Sequence, residues 1–483
     1  MADTLVSRHA REHGRRRWTA PQRALHRSRP RERLPRELHE RARELRRDLY
    51  VQKLARLRAY SLLASLALCL AGAATGTYPL WLIGLVGLMA DALVIDNDVT
   101  AGALNKSDRT QAFTSPSVGY QFIVLGGAQD LVYRKTADGG ATWGSDVAVL
   151  AGETVSQVSI WYDKWASGGT GTRIHIAYCE DNGHNVNYNY LDTASDTLGT
   201  EVEVFDGASV TAEDFCSIAK MRGGNIVIAF DIDQGTETGF YRSTDNGATF
   251  GARANLNEAT FDHYSVYPGG DADTNDAWAI FVDRSANAIS LKVYDDSGDS
   301  WSEAAITGFT DVSMRTEGFG FCAATRHSDN HLIVAFFTAY DGGSLLVYDI
   351  TNAGTITAKT NITTTIDDMY NPCIFIDQTT DRIYVGYIGK NDGSETLDTT
   401  VTPFFVYSDD DGATWSAEQT YGETARNHEG MWSDLGGVNS RFIPSFNDVA
   451  NADLYVNAAN SVAVGADPPA GGGSRRLLVG VGR

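Results

Sequence analysis

One short turn pattern recurs four times along this 483-residue chain, and it constrains the fold more than any other feature. Each copy places an Asp two residues before a Gly and ends in an aromatic residue; the copies are Thr136-x-Asp138-x-Gly140-x-Thr142-Trp143, Ser243-x-Asp245-x-Gly247-x-Thr249-Phe250, Asp296-x-Gly298-x-Ser300-Trp301 and Ser408-x-Asp410-x-Gly412-x-Thr414-Trp415. The Asp carboxylate can accept hydrogen bonds from downstream backbone N–H groups, and the Gly can adopt a positive φ at low steric cost. The aromatic ring can then pack between layers of sheet. The pattern therefore predicts a folded-back turn in each of several similar units.

Short apolar strands supply a second, independent period. Seven of them end in an aromatic residue or Leu, and they cover residues 120–125, 174–178, 226–230, 278–281, 332–336, 383–387 and 442–446. Their last residues are 51 to 59 positions apart, which leaves room for about four short strands in each unit. We therefore predict an all-β fold, a β-propeller of seven blades.

The turn pattern resembles the Asp box, or BNR repeat, of the sialidase-like β-propellers. The third copy departs from it because Tyr294 stands where the family has Ser or Thr. The family is six-bladed, so six blades remain the alternative. The resemblance also implies that the box joins the third and fourth strands of a blade, on the face opposite the active site. The repeated aspartates are accordingly expected to be structural, and they are Asp138, Asp245, Asp296 and Asp410.

The charge of the chain divides it into an arm and a domain. Residues 1–58 hold 18 basic and 7 acidic side chains, whereas the rest holds 22 basic and 54 acidic ones. We assign 1–58 to a basic arm, 101–465 to the propeller and 466–483, which is rich in Gly and Pro, to a tail. An acidic propeller repels phosphate backbones, which excludes nucleic acid as its partner.

An apolar segment, 59–95, follows the basic arm. Its uncharged run from Ala59 to Ala90 exceeds the roughly 20 residues that span a bilayer. A single tilted span, a short hairpin or a cleaved signal peptide would each fit. With a span, the positive-inside rule places the arm in the cytoplasm and the propeller outside; a secreted or virion-surface protein is the alternative. Residues 31–58 alternate Leu with Arg and Glu, which predicts an amphipathic helix lying on the membrane.

The cysteines indicate neither a disulfide framework nor a zinc site. Cys216, Cys322 and Cys373 fall on predicted first strands of different blades, and Cys179 closes a second strand. First strands of neighbouring blades lie too far apart for easy bridging, so we expect four buried free thiols. No cofactor is predicted, and a structural cation is left open.

Charged residues precede several predicted first strands and would converge at one mouth of the propeller. The resemblance implies a sialidase mechanism there, with arginines that clamp a carboxylate, a Tyr nucleophile activated by Glu, and an Asp acid/base. The positions that match these roles locally are Asp262, Tyr264, Arg315, Glu317, Tyr370, Arg426 and Glu429. However, the family's Arg-Ile-Pro motif is missing, and the nearest approximation is Arg441-Phe442-Ile443-Pro444.

Aromatic residues favour a different use of the same scaffold. Flat rings near a rim can stack on sugar rings while carboxylates bind the hydroxyl groups. The candidate ligand-binding residues are Trp161, Tyr162, Trp165, Asp214, His263, Asp368, His428 and Trp432. We therefore expect recognition of a carbohydrate or glycosylated surface. The alternatives are an exo-acting glycoside hydrolase of the sialidase type and a structural particle component without a small ligand.

Overall fold

The computed structural model describes residues 91–95, 108–127, 129–180, 185–207, 215–232, 237–256, 263–270, 273–283, 288–307, 320–337, 344–363, 368–390, 401–422, 428, 430–437 and 440–463. The basic arm, nearly all of the apolar segment and the tail lie outside these residues. Among the described residues no helix is long and apolar enough to cross a membrane.

Seven antiparallel sheets form the seven blades of a β-propeller, which confirms the predicted count and removes the six-bladed alternative. The outermost strand of the last blade comes first in the chain, and it is β1 (Ala92–Ile95). Blade 1 consists of β2 (Gln111–Phe113), β3 (Gly119–Val124), β4 (Leu131–Thr136) and β5 (Val147–Leu150). Blade 2 consists of β6 (Val155–Tyr162), β7 (Arg173–Glu180), β8 (Val186–Asp192), β9 (Thr197–Leu198) and β10 (Val202–Phe205), with a single 3₁₀ turn at Asp163–Trp165 after β6.

The next three blades have the same order from the axis outward. Blade 3 consists of β11 (Phe215–Lys220), β12 (Ile226–Ile232), β13 (Glu237–Ser243) and β14 (Gly251–Ala252). Blade 4 consists of β15 (His263–Pro268), β16 (Ala277–Asp283), β17 (Ala288–Asp295) and β18 (Ser300–Ile306). Blade 5 consists of β19 (Phe321–Arg326), β20 (His331–Phe337), β21 (Ser344–Ile350), β22 (Ile356–Ala358) and β23 (Ile362–Thr363).

The last two blades complete the ring. Blade 6 consists of β24 (Asp368–Asp377), β25 (Arg382–Lys390), β26 (Thr402–Ser408) and β27 (Gln419–Thr420). Blade 7 consists of β28 (Met431–Trp432), β30 (Ser445–Asp448), β31 (Asp453–Val456) and β1, while β29 (Arg441–Phe442) pairs separately with β32 (Val462–Ala463).

Blade 7 closes the ring with strands from distant parts of the chain. β1 pairs antiparallel with β31, so that Ala92 faces Val456 across the ladder. Val94 is buried in a cluster with Trp432 and Leu454. The strand lies within the segment 59–95, so the propeller includes residues before the boundary at 101.

The second strand of each blade is buried on both faces because blades stack on each other. β3 has no exposed residue, and β7 is buried from Ile174 to Cys179. The sequences of these strands are nearly continuous runs of β-branched and aromatic residues, as expected of strands covered on both faces. In blade 7 the predicted strand 442–446 is instead divided between β29 and β30, with Ile443 and Pro444 between them. A proline cannot donate to a ladder, which accounts for the break.

Three of the four repeated turns have the same hydrogen bonds. In the second copy, Ser243 Oγ lies 2.7 Å from Asp245 Oδ1 and accepts from the amide of Gly247 at 2.9 Å. Asp245 accepts from the amide and the hydroxyl of Thr249, at 2.9 and 2.6 Å. The first and fourth copies repeat this arrangement at Thr136 and Ser408. All three turns join the third and fourth strands of a blade, as expected.

The third copy differs in which aspartate closes the turn. Asp295 Oδ1 accepts from the amide of Gly298 at 2.9 Å, whereas Asp296 turns to the preceding blade. There it pairs with Arg242 at 2.6 Å and accepts from Asn225 at 3.3 Å. Asp296 is therefore structural, as predicted, but it acts between blades rather than within its turn.

The cysteines lie where the sequence placed them. Cys216, Cys322 and Cys373 are on the innermost strands of blades 3, 5 and 6, and Cys179 is near the end of β7. All four are free thiols; three are buried and Cys322 is half-buried.

Candidate functional site

A cavity lies at the end of the propeller that carries the repeated turns. Successive strands of a blade are antiparallel, so the connection from first to second strand lies at the same end as the connection from third to fourth strand. We call this the turn-bearing end, and the end at which the chain begins each first strand the opposite end. The sequence placed the charged candidates at the opposite end, whereas the aromatic candidates of residues 161–165 come at the end of a first strand and thus at the turn-bearing end.

The cavity measures about 210 Å³ and lies between connections from blades 1, 2, 5 and 7. Its described lining is mainly apolar and glycine-rich, and it consists of Phe113, Thr114, Tyr162, Lys164, Ala166, Gly168, Gly169, Thr170, His327, Gly436 and Gly437. Lys164 and His327 supply the basic groups, and no described lining residue is acidic. The site can therefore hold a small ligand against a mainly apolar wall and beside a positive charge.

Lys164 is the charged group of the lining. Its side chain is exposed, its Nζ lies 5.9 Å from the centre of the Tyr162 ring, and it forms no ion pair with the described residues. Tyr162 is 3% exposed, and burial, together with the nearby carboxylates of Asp434 and Asp163, raises its pKa. The phenol therefore stays neutral at neutral pH and cannot act as a nucleophile in ionised form.

His327 presents a hydrogen-bond acceptor. Burial lowers its pKa, so the imidazole is neutral at pH 7. Its Nε2 lies 3.0 Å from the carbonyl oxygen of Trp165 and must donate to it, which leaves Nδ1 without a proton. Nδ1 makes no hydrogen bond with the described residues and can accept one from a ligand hydroxyl.

A buried network holds the blade 2 loop that forms one wall of the cavity. Asp163 Oδ1 lies 3.0 Å from His175 Nε2 and 2.5 Å from Lys220 Nζ, and Asp163 Oδ2 accepts from the amide of Arg173 at 2.9 Å. Burial alone would raise the pKa of Asp163, but the hydrogen bonds from His175, Lys220 and that amide outweigh it and lower the pKa. His175 Nδ1 lies 2.7 Å from the hydroxyl of Tyr188, which donates to it. Burial lowers the pKa of His175, so the ring is neutral.

Asp434 joins blade 7 to its neighbours at the same end. Its carboxylate accepts from the indole Nε1 of Trp165 and the hydroxyl of Ser440, and from the amide of Phe113 at 3.2 Å. Burial raises the pKa of Asp434 to about 6 against the opposing effect of these bonds. The following Gly436 has φ +110°, and a Cβ there would lie 2.0 Å from the carbonyl oxygen of Ile376 in blade 6. A glycine is therefore required for this segment to lie so close to blade 6.

The axis of the propeller is occupied by Asp108 and Arg109. Asp108 Oδ2 accepts from the hydroxyls of three serines on successive inner strands, at 3.4 Å from Ser159 and 2.8 Å from Ser217 and Ser265. The Arg109 guanidinium, 3% exposed, donates to the carbonyl oxygens of residues 218 and 266 at 2.9 and 3.1 Å. Arg109 is therefore committed to the fold and cannot clamp a ligand. Among the described residues no three His, Cys, Asp or Glu side chains are grouped to hold a metal ion.

Most of the residues predicted for the opposite end lie outside the described residues. These are Asp214, Asp262, Arg315, Glu317, Arg426 and Glu429. The backbone places His263 on β15, and Asp368 and Tyr370 on β24, but their side chains are not described. The sialidase-type arrangement therefore remains a prediction from the sequence.

Five predicted site residues are buried in the structure, so their side chains are not open to a ligand in this arrangement. Tyr264 is packed between Phe215 and Phe281, with ring centroids 5.0 and 6.3 Å away, so its hydroxyl is not at the mouth. The others, which are Trp161, Trp165, His428 and Trp432, are between 1% and 7% exposed. Trp165 packs edge-on against Trp161, and His428 packs edge-on against Phe446. Of the predicted ligand-binding residues with described side chains, Tyr162 alone lines the cavity.

Sequence reasoning missed Lys164, His327 and the glycine pairs of the lining. The aromatic loop that it did select, residues 161–165, includes Lys164 and borders the site. One feature of the sequence could have pointed to the site. A glycine pair follows the first strand of two blades, at 168–169 and 436–437, and glycines let backbone segments approach each other closely.

No family profile and no curated protein matches this chain. Solved structures do resemble it. An ulvan lyase of polysaccharide lyase family PL25 is 10% identical with a TM-score of 0.45, covering 76% of this chain and 95% of the lyase. The hydrazine synthase of Kuenenia stuttgartiensis is 11% identical with a TM-score of 0.45, covering 74% and 96%, and a Hadza microbial sialidase is 13% identical with a TM-score of 0.37, covering 76% and 65%. Similarities of this size carry no argument about what the chain does.

Proposed function

We propose that this protein is a recognition module whose propeller binds a carbohydrate on a glycosylated surface. The observation that carries the proposal is the cavity at the turn-bearing end. Tyr162 and Phe113, both almost fully buried, form part of its apolar wall, while Lys164 and His327 can provide a donor and an acceptor of hydrogen bonds. Sugar binding needs this combination of an apolar face and a few polar groups that fix orientation.

The composition of the cavity favours binding over hydrolysis. Glycoside hydrolysis needs an acid and a carboxylate or an activated Tyr on either side of the scissile bond. No described lining residue is acidic, and the raised pKa of Tyr162 keeps its phenol protonated. A sialidase-type enzyme would have to use the residues predicted at the opposite end, so it remains the second candidate.

Glycan-array binding of the purified chain, together with turnover of a fluorogenic sialoside, tests the proposal. We expect binding to a restricted set of glycans and no turnover above the rate without protein. Robust turnover that is lost in both Arg315→Ala and Arg426→Ala would instead establish the enzyme, and a chain that neither binds glycans nor turns over substrate would contradict both.

We also propose that the basic arm and the apolar run 59–90 display the propeller outside a membrane or a particle. The proposal rests on the charge asymmetry across an apolar run long enough to span a bilayer. Protease added outside intact cells should digest the propeller while sparing an epitope placed in the arm. Full protection of the propeller would contradict this orientation.

A further inference from the structure

We propose that the cavity at the turn-bearing end binds one sugar unit that carries a carboxylate, with Lys164 as its charge partner. The inference rests on the proposed function and adds the location and chemical class of the ligand. It places binding at the end away from the mouth that the sequence indicated.

Lys164 keeps an uncompensated positive charge although it lies in an acidic propeller and follows Asp163 directly. The Asp163 carboxylate is turned into the protein, where Lys220 Nζ at 2.5 Å and the amide of Arg173 at 2.9 Å satisfy it. Its own side chain is 4% exposed. The negative charge nearest in sequence is therefore already paired, and Lys164 can pair with a ligand anion.

Backbone amides and a histidine supply the remaining polar contacts. Gly168 and Gly437 line the cavity, and their amides make no hydrogen bond with the described residues. They can donate to a carboxylate or a ring substituent, whereas Nδ1 of His327 can accept from a sugar hydroxyl. An anion with hydroxyl groups matches this set of donors and acceptor, and a purely basic ligand does not.

The size of the cavity limits the ligand to one sugar unit. About 210 Å³ lies below the roughly 300–1,000 Å³ of sites that enclose drug-sized molecules. The side chains of Phe113 and Tyr162, which are 1% and 3% exposed, form part of the apolar wall that bounds this space. We therefore assign the site to a terminal or side-branch sugar rather than to a run of a polysaccharide.

Ligand-observed NMR titrations of the full chain test this assignment. The probes are methyl β-glucuronide and methyl β-glucoside, which differ in the carboxylate, with glucose 6-sulfate to distinguish a carboxylate from a sulfate. We expect the glucuronide to bind about tenfold more tightly than the glucoside, because Lys164 can pair with its carboxylate. Lys164→Gln should lower the affinity for the glucuronide to that for the glucoside. The control Lys135→Gln removes a partly exposed lysine in blade 1 and should leave the affinity for the glucuronide unchanged.

Thr170→Trp provides a second test that does not depend on charge. Thr170 is exposed and lines the cavity, so a bulky side chain there should fill the cavity without disturbing the core, and both sugars should stop binding. Equal affinity for glucoside and glucuronide in the parent chain would overturn the charge assignment, and preference for the sulfate would overturn the carboxylate. If the chain binds glycans on the array but Thr170→Trp binds as the parent does, the location is wrong while the proposed function stands. If no glycan binds at all, both fail.

Discussion

Single hydroxyl groups inside the repeated turns do more for the fold than the aspartates that make the pattern visible. Ser243 and Ser408 are fully buried or nearly so, and each accepts from the amide of the Gly four residues later. That amide is buried and has no water to replace the lost acceptor, whereas Thr249 and Thr414, which bind the aspartates, are exposed. The residue that begins the turn is therefore the one whose hydrogen bond is costly to remove.

Ser243→Ala should lower the free energy of unfolding by about 1–3 kcal/mol, because the buried amide of Gly247 loses its acceptor. Guanidinium denaturation at pH 7 measures the change. Ser302→Ala, on the exposed outer strand of blade 4, is the matched control and should stay within about 0.5 kcal/mol of the parent. Equal effects of the two substitutions would show that the turn hydroxyl has no special role.

Asp434 should impose a pH dependence of the opposite sign from a carboxylate such as Asp163, whose pKa is lowered by its partners. Its pKa in the folded protein, about 6, is above the ordinary value of 3.8, so between these pH values the unfolded chain releases a proton that the folded chain retains. The contribution of Asp434 to stability is thus fully present below pH 3.8 and is lost as the pH rises through 6, by about 3 kcal/mol.

The test compares Asp434→Asn with the parent from pH 4 to pH 7. The variant loses hydrogen bonds at every pH, but its stability relative to the parent should improve as the pH rises, because Asn cannot ionise. His175 and Asp163, whose pKa values are lowered, destabilise both proteins equally on acidification and cancel in the difference. A difference that stays constant with pH would contradict the raised pKa of Asp434.

At the scale of elements, the repeated turns act as contacts between neighbouring blades. A Cβ on Gly140 of blade 1 would lie 2.3 Å from Ile443 in blade 7, and one on Gly247 of blade 3 would lie 2.4 Å from Tyr188 in blade 2. In blade 6 the indole of Trp415 donates to the carbonyl oxygen of Thr360 in blade 5 at 2.8 Å. Each turn thus packs on the preceding blade, which explains why the pattern recurs from blade to blade.

β1 should contribute to stability through the closure of blade 7. A chain that starts at residue 97 lacks β1, so it loses the buried side chain of Val94 and leaves the edge of β31 open. We expect its free energy of unfolding to be lower by at least about 2 kcal/mol than that of a chain that starts at residue 91. We also expect it to self-associate through the open edge. Thermal unfolding and gel filtration of the two chains measure this. Identical behaviour would show that β1 is dispensable.

The elements that the sequence predicted well are those encoded by local chemistry. A turn such as Ser243 to Phe250 carries its own hydrogen-bond partners within eight residues, and the seven apolar strands recur at a regular spacing, which was enough to count the blades. The pairing of β1 with β31 joins residues more than 350 positions apart and has no local signature. The cavity arises in the same way, because Lys164, His327 and Gly436 come together only when the ring closes. The sequence shows that residue 161 is a tryptophan, but it does not show which blade covers the ring.

At the scale of the whole molecule, the ring has no disulfide among its described residues and instead has a polar core along its axis. Asp108 and Arg109 come from the segment that leads into blade 1, and their partners lie on the inner strands of blades 2, 3 and 4. The Arg109 guanidinium also lies 5.0 Å from the ring centre of Trp161 and 5.1 Å from that of Tyr267. One residue pair therefore links four successive blades around the axis.

Arg109→Ala should destabilise the propeller by about 3–5 kcal/mol, because it leaves the Asp108 carboxylate, 7% exposed, without its buried charge partner at 2.5 Å. Arg382→Ala is the matched control: its partner Asp409 is 57% exposed, so the loss should be no more than about 1 kcal/mol. Asp108→Asn combined with Arg109→Ala should recover part of the loss, since the unpaired charge is removed with its partner. Chemical denaturation followed by tryptophan fluorescence measures the parent, the double variant and the single variants Arg109→Ala, Asp108→Asn and Arg382→Ala. If Arg109→Ala costs no more than Arg382→Ala, or if the double variant is as unstable as the sum of its single changes, the axial pair does not hold the blades together.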